Sequence, residues 1–315
     1  MTLLSIRRRD FLVGGLAAAG LAAAPARASD LIFRRSAVLP EPAQRVVALE
    51  FLLAEMLAAV GCPPVGMSDP KLYPGWIGVL SERLKGVADV GTRQQPSLEA
   101  IARLKPDLIL GVSYRHAPLF DVFESIAPTV LLDFKPVPPA TRLDSAFTLQ
   151  TMIGGLTGHR ADAEHAEAEV SAGIAHDAAR LAEAGRSGRR LVVLQELGGQ
   201  DTYWVFTADS LSAGLAARLG LRFWPPDRSR EGVRPLTSED LLALDDCDVM
   251  LVSTTGPDIP LTAKTRSAAW QRVPALRAGR VGLIERNIWN FGGPGSALRL
   301  SNRITDTLLK APAAG

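Results

Sequence analysis

The sequence predicts an α/β protein made of two Rossmann-like lobes joined by one long helix. Three observations carry this. One strand–helix plan occurs twice, an Ala- and Glu-rich stretch without strand signal separates the two occurrences, and 315 residues favour two domains over one. Apolar residues at 47% and charged residues at 22% describe a globular chain with ample core.

The first half opens on Arg45-Val46-Val47-Ala48-Leu49, which reads as a strand, followed by an apolar helix over 52–60 that Gly61 ends. The second half answers with a strand at Tyr203-Trp204-Val205-Phe206 and a helix over 210–219 that Gly220 ends. In a second matching pair, Ser97 caps a helix reaching Leu104 ahead of the strand Asp107-Leu108-Ile109-Leu110. Its counterpart is Thr237 or Ser238, capping a helix that reaches Leu244 ahead of Asp248-Val249-Met250-Leu251-Val252. A third pair closes each half: a helix, Ile126-Ala127-Pro128 and a strand over 129–132, matched by a helix, Val273-Pro274-Ala275 and a strand over 280–284. Alternation of this kind builds parallel sheets with helices on both faces.

Between the halves, Ala, Glu, Leu and Arg dominate 161–184, which suits a long helix. The apolar stripe over 147–156 is expected to pack on the first lobe. The lobes therefore fall at 29–160 and 187–315, with the linking helix at 161–186.

Residues 1–28 read as an export signal. Arg8-Arg9-Asp10-Phe11-Leu12 is a twin-arginine pattern, the weakly apolar run 12–24 is too short to span a bilayer, and Ala26-Arg27-Ala28 is a small-x-small cleavage site. The mature chain is expected to begin at Ser29 in the periplasm, and with no cysteine there a lipid anchor is not expected. Removing residues 1–28 leaves 31 basic against 32 acidic residues, a balance that offers nothing to nucleic acid or an anionic membrane. Cys62 and Cys247 stand apart beside apolar runs and are expected as small hydrophobes, not as a disulfide or metal ligands.

Ligands of such sheets bind beyond the carboxyl ends of the strands. The loops expected there hold Glu50, Trp76, Arg93 and Tyr114 in the first half, and Trp224, Arg228, Arg230, Arg234, Trp289 and Phe291 in the second. Tryptophan and tyrosine in loops suit a binding cleft, offering a broad apolar face and a polar handle. Gly-x-Ser-x-Gly, a phosphate-binding glycine loop and His-Glu-x-x-His are all missing, so the chain reads as a binder and not an enzyme. His159, His165 and His176 belong to the solvated face of the linking helix, and His116, though near Tyr114, is not expected to line the site.

On these segments the chain resembles the periplasmic ferric-hydroxamate binding proteins, within the iron-siderophore and cobalamin binding-protein superfamily. The likeness rests on Arg45-Val46-Val47-Ala48-Leu49-Glu50, Asp89-Val90-Gly91-Thr92-Arg93, Pro96-Ser97-Leu98-Glu99, Leu104-Lys105-Pro106-Asp107, the stretch from Val205-Phe206 to Leu211, and Trp270 through Arg277-Ala278-Gly279-Arg280. The resemblance implies a shallow cleft between lobes that close little on each other. It implies that Arg93 and Tyr114 contact the iron-binding oxygens and that Trp76, Trp289 and, more loosely, Trp224 wall the cleft. Phe291 stands where the family pattern has tyrosine.

The resemblance also implies no resident cofactor, since the siderophore holds the iron. As partners it implies an Fe(III)–siderophore and an inner-membrane ABC permease with its ATPase subunit, met by Asp121 on the first lobe and Asp258 on the second. A monomer is expected. A ferric trihydroxamate is neutral, and one guanidinium with one phenol suits its oxygens. A catecholate complex is anionic and calls for several cations, which Arg93 alone does not supply unless Arg228, Arg230 and Arg234 fold inward. Cobalamin, haem and an anionic siderophore remain alternatives on the same fold, and a twin-arginine-exported oxidoreductase is the alternative from another class.

Overall fold

The computed structural model describes residues 28–136, 140–197, 202–244, 246–253, 260–284 and 288–311. The signal expected at the N-terminus lies outside these residues apart from Ala28, and Asp258 lies outside them too.

The first lobe holds a six-stranded sheet of β1 (Ile32–Arg35), β2 (Val46–Ala48), β3 (Gly66–Met67), β4 (Ala88–Asp89), β5 (Leu108–Val112) and β6 (Thr129–Leu132), in the order β1-β6-β5-β2-β3-β4. All neighbours run parallel except β1, which pairs antiparallel with β6. Strands β2, β5 and β6 are buried along their whole length, as central parallel strands covered on both faces must be.

The second lobe holds β7 (Arg190–Glu196), β8 (Thr202–Phe206), β9 (Arg222–Trp224), β10 (Val233–Thr237), β11 (Asp248–Val252) and β12 (Val281–Ile284), in the order β10-β8-β7-β11-β12. Strand β9 runs parallel beside the first half of β7, while β8 pairs antiparallel with its last residues. Two expectations change here. The counterpart of the first-lobe strand at 45–49 is β7, which the sequence reading left unassigned, whereas Tyr203–Phe206 lies in an antiparallel strand. Trp224 and Arg234, expected in loops, lie in β9 and β10. Pro235 is tolerated in β10 because that strand is an edge and loses no ladder bond on its outer side.

Seven helices bear on the cleft: α1 (Phe51–Ala59), α2 (Leu98–Arg103), α3 (Ser113–His116), α4 (Arg142–Thr157), α5 (Arg160–Glu183), α6 (Leu211–Arg218) and α7 (Pro294–Lys310). Ser97 caps α2 by accepting from the Ala100 N–H at 3.2 Å, and Ser210 caps α6 by accepting from the Ala213 N–H at 3.1 Å. The linking helix is α5, whose 24 residues extend about 36 Å at 1.5 Å per residue. Its Ala163 joins the first core, and Val170, Ile174 and Leu181 join the second. Helix α4 is shared in the same way. Leu149 and Ile153 pack into the first lobe as expected, with Ala146 beside them, but Phe147 of the expected stripe packs into the second together with Leu143.

Two buried carboxylates tie the long helices together. Asp177 of α5 accepts from Ser301 Oγ at 2.7 Å and Asn302 Nδ2 at 2.8 Å on α7. Glu55, on α1 of the first lobe, caps the start of α7 by accepting from the Gly293 and Ser296 N–H groups at 2.9 and 2.7 Å and from Ser296 Oγ at 2.7 Å. Burial pushes the Glu55 carboxyl up in pKa, and these hydrogen bonds oppose the shift. Cys62 and Cys247 are both free thiols.

Candidate functional site

The lobes enclose a cavity of about 450 Å³. Its first-lobe side is organised by one carboxylate. Glu50 lies two residues past the end of β2 and caps α1, accepting from the Phe51 N–H at 3.1 Å. Its two oxygens also accept from Arg93 Nη1 at 3.1 Å, Tyr114 Oη at 3.1 Å and Arg115 Nε at 3.0 Å. A buried carboxylate is tolerated where donors surround it.

Arg93 reaches Glu50 from a tight loop after β4. Gly91 sits there at φ +91°, and a Cβ on it would lie 2.8 Å from the Gln95 carbonyl oxygen, so only glycine closes this turn. The Arg93 guanidinium lies 3.9 Å above the Phe51 ring and donates from Nε to Asp69 at 3.2 Å, leaving its side chain 11% exposed. His116 fixes the same loop from behind. Its Nδ1 accepts from the Val112 N–H at 3.0 Å, which puts the ring proton on Nε2, and Nε2 donates to the Arg93 carbonyl at 3.0 Å. It is fully buried and does not line the cavity. Burial holds its pKa below the usual histidine value.

Tyr114 and Arg115 are the second and third residues of α3, which starts directly after β5. The Tyr114 ring is exposed, but its hydroxyl turns onto Glu50, and desolvation together with that carboxylate pushes its pKa up to about 12. The Arg115 guanidinium stands 5.1 Å from the Tyr114 ring centroid.

The second-lobe side is aromatic. Trp289 and Phe291 meet with centroids 5.3 Å apart, and Trp204 packs edge-on to Phe291 at 6.5 Å. Trp76 lies edge-on against Trp289 at 5.1 Å and supports it without lining the cavity. Trp224 does not line it either: in β9 it packs on the core of the second sheet, with the Arg234 guanidinium 5.6 Å from its ring. Of the arginine-rich segment, Arg234 reaches the cavity, Arg228 donates to the Ala140 carbonyl at 2.6 Å, and Arg230 points to solvent beside Glu231.

The structure thus brings Arg93, Tyr114, Trp289 and Phe291 together and leaves Trp76 and Trp224 outside the lining. It adds Arg115, Lys135, Arg142 and Trp204, which the sequence reading did not single out. Alternation along β8 was the available signal for Trp204. Tyr203 and Val205 face the core, so Trp204 must face the other way. Arg93, Arg115, Lys135, Arg142 and Arg234 line the cavity with Glu50, Asp133 and Glu231, and Asp69 and Asp227 behind the lining pair with Arg93 and Arg234 at 3.2 and 3.4 Å.

Asp121 lies far out on the first lobe, 79% exposed and paired with Arg34 at 2.6 Å. A larger groove of about 1260 Å³ runs between residues 35–42 and helices α4 and α5. Its three arginines and three acids balance, and it contains neither tryptophan nor tyrosine, so it lacks the features of a ligand cleft. Among the described residues no group of His, Cys, Asp and Glu is placed to hold a metal ion.

The chain is 29% identical over 252 residues to the Fe(3+) dicitrate-binding periplasmic protein FecB of Escherichia coli, covering 80% of each chain. It is 27% identical over 255 residues to the iron(3+)-hydroxamate-binding protein FhuD of the same organism, covering 81% of this chain and 83% of that one. Its fold superposes with a TM-score of 0.77 and 27% identity on the siderophore-binding protein FhuD of Vibrio cholerae with bound Fe3+–Desferal, over 85% of this chain and 99% of the other. These relatives are substrate-binding proteins rather than enzymes, so the oxidoreductase alternative falls away. The family model described as periplasmic binding protein matches residues 46–287, and the chain belongs to that family.

Proposed function

We propose that this chain is the exported binding component of an ABC importer, capturing an Fe(III)–siderophore complex in the interlobe cleft and carrying it to the membrane permease. One observation carries the reading: a preformed cavity with an aromatic wall on one lobe and a fixed cluster of cations on the other. A ferric complex has this dual character, with an oxygen-rich face for the cations and an organic perimeter for the rings. The siderophore holds the iron, the protein adds no ligand to it, and no chemistry follows. ATP hydrolysis belongs to a separate subunit. The chain acts as a periplasmic monomer, delivered by the twin-arginine signal and cut after Ala28. Asp121 and Asp258 are the proposed contacts with the permease.

The charge of the cleft bears on the type of cargo. The hydroxamate expectation assumed that Arg93 was the cation of the site, yet five cations line the cavity against three carboxylates. Asp69 and Asp227 pair with two of the five, but Arg142 has no ion-pair partner among the described residues, which favours a cargo bearing an anionic group. Similarity to the 29% identical dicitrate-binding protein agrees with it. A hydroxamate cargo is the second reading, favoured by the likeness to the Desferal-bound protein. Haem is disfavoured: His116 is buried and the Tyr114 hydroxyl is engaged by Glu50, so neither is presented as an axial ligand.

Trp204 and Trp289 line the cavity and serve as internal probes. Titrating the mature protein with ferric citrate, a ferric trihydroxamate, a ferric tricatecholate and cobalamin should give saturable quenching of tryptophan fluorescence by a ferric complex. Quenching by cobalamin alone, or by none of the four, would remove the siderophore reading.

A further inference from the structure

Of the donors that sequence and resemblance assigned to the cargo, the Tyr114 hydroxyl is taken and the Arg93 guanidinium is already charge-paired. Tyr114 gives its hydroxyl proton to Glu50, and Arg93 gives Nη1 to Glu50 and Nε to Asp69. A phenol so engaged turns only lone pairs toward the cavity, where an oxygen-rich ligand also offers lone pairs.

Arg142 is different. It opens α4, the helix shared by both cores, and its backbone N–H is anchored on the Asp209 carbonyl at 2.9 Å. Its guanidinium faces the cavity 5.8 Å from the Phe291 ring centroid. Gly232 backs it, at φ +73°, where a Cβ would lie 2.8 Å from Arg142 Nε. The side chain is therefore held in place before any ligand arrives. Nε is shielded from solvent yet makes no hydrogen bond among the described residues, and no carboxylate there forms an ion pair with the group. Asp133, Asp209 and Glu231 act on it only through space. A guanidinium half out of water without a partner costs stability that a bound anion would return.

We infer that Arg142 is the specificity-determining cation of the cleft, donating a two-pronged hydrogen bond to a carboxylate of the cargo. The inference rests on the ferric-complex reading above and narrows it to Fe(III) complexes that carry free carboxylates. The planar fork of arginine matches a carboxylate in a way that a lysine ammonium does not.

The test measures binding of ferric citrate and of a neutral ferric trihydroxamate to wild type, Arg142→Gln and Arg142→Lys, with thermal melts to confirm that each folds. Wild type should prefer ferric citrate. Arg142→Gln should weaken ferric citrate by about tenfold or more, the loss expected for a charge-assisted pair, while changing the trihydroxamate less than about threefold. Arg142→Lys should recover only part of the citrate affinity. Equal weakening of both complexes, or no change in either, overturns the role of Arg142. Wild-type binding of the trihydroxamate alone overturns the carboxylate assignment but leaves the ferric-complex reading intact, whereas binding of neither complex, nor of a ferric tricatecholate, sinks both.

Discussion

Across the cleft, the first lobe converges four donors on the Glu50 carboxylate, while the second lobe presents Trp289, Phe291 and Trp204 in edge and tilted contact. The polar side is fixed by directed bonds that converge on one buried carboxylate. The aromatic side is held by packing and has more freedom to accommodate ligands of different outline. Position and charge selection therefore belong to the first lobe and to α4, and the area that excludes water belongs to the second.

Substitutions should separate these roles. The largest effect is expected from Glu50→Ala, which leaves Arg93 and Arg115 without their shared counter-charge. A loss of about 3–5 kcal/mol in unfolding free energy, read by urea denaturation, is the figure for breaking a buried pair. A loss below about 1 kcal/mol would mean that the cluster is not organised by Glu50. Trp289→Ala comes next. It should cost about 2 kcal/mol of cargo binding, as an aromatic anchor does, with a smaller change in unfolding. If stability falls as far as with Glu50→Ala, the aromatic wall is core and not a binding surface.

The smallest stability effect belongs to the exposed Arg34–Asp121 pair, about 0–1 kcal/mol. Asp121→Ala should leave cargo affinity unchanged and reduce import into vesicles that carry the permease. Unchanged import would take Asp121 out of the docking surface.

Much of the scaffold was legible in the sequence because buried parallel strands are short apolar runs between punctuating residues. The strands at Thr129–Leu132 and Asp248–Val252 coincide with the expected ones for this reason. Strand β7 carries an equally apolar Leu191-Val192-Val193-Leu194, but its start soon after the long helix hides it from a reading of the sequence alone. Strand β1 is mostly exposed and offers no alternating pattern to read.

The site was legible to the extent that it follows strand ends. Arg93, Tyr114, Trp289 and Phe291, expected at strand ends, reach the cavity lining. Trp224 was misplaced because the four residues between Gly220 and Pro225 read as a loop, and only pairing with β7 makes three of them a strand. Arg142 was invisible because it enters the cleft only as the first residue of α4, ahead of the apolar stripe over 147–156 that the sequence marks. Nor does spacing reveal that Glu50 engages Arg93 and Tyr114, since these residues are 43 and 64 positions away.

The most direct test is an anomalous-difference map at the iron edge, from crystals grown with ferric citrate. The account predicts one dominant iron peak in the interlobe cavity, between the Trp289–Phe291 wall and the Glu50 cluster, with ligand density reaching Arg142. An iron peak outside that cavity, for instance in the groove between residues 35–42 and α4, would contradict it.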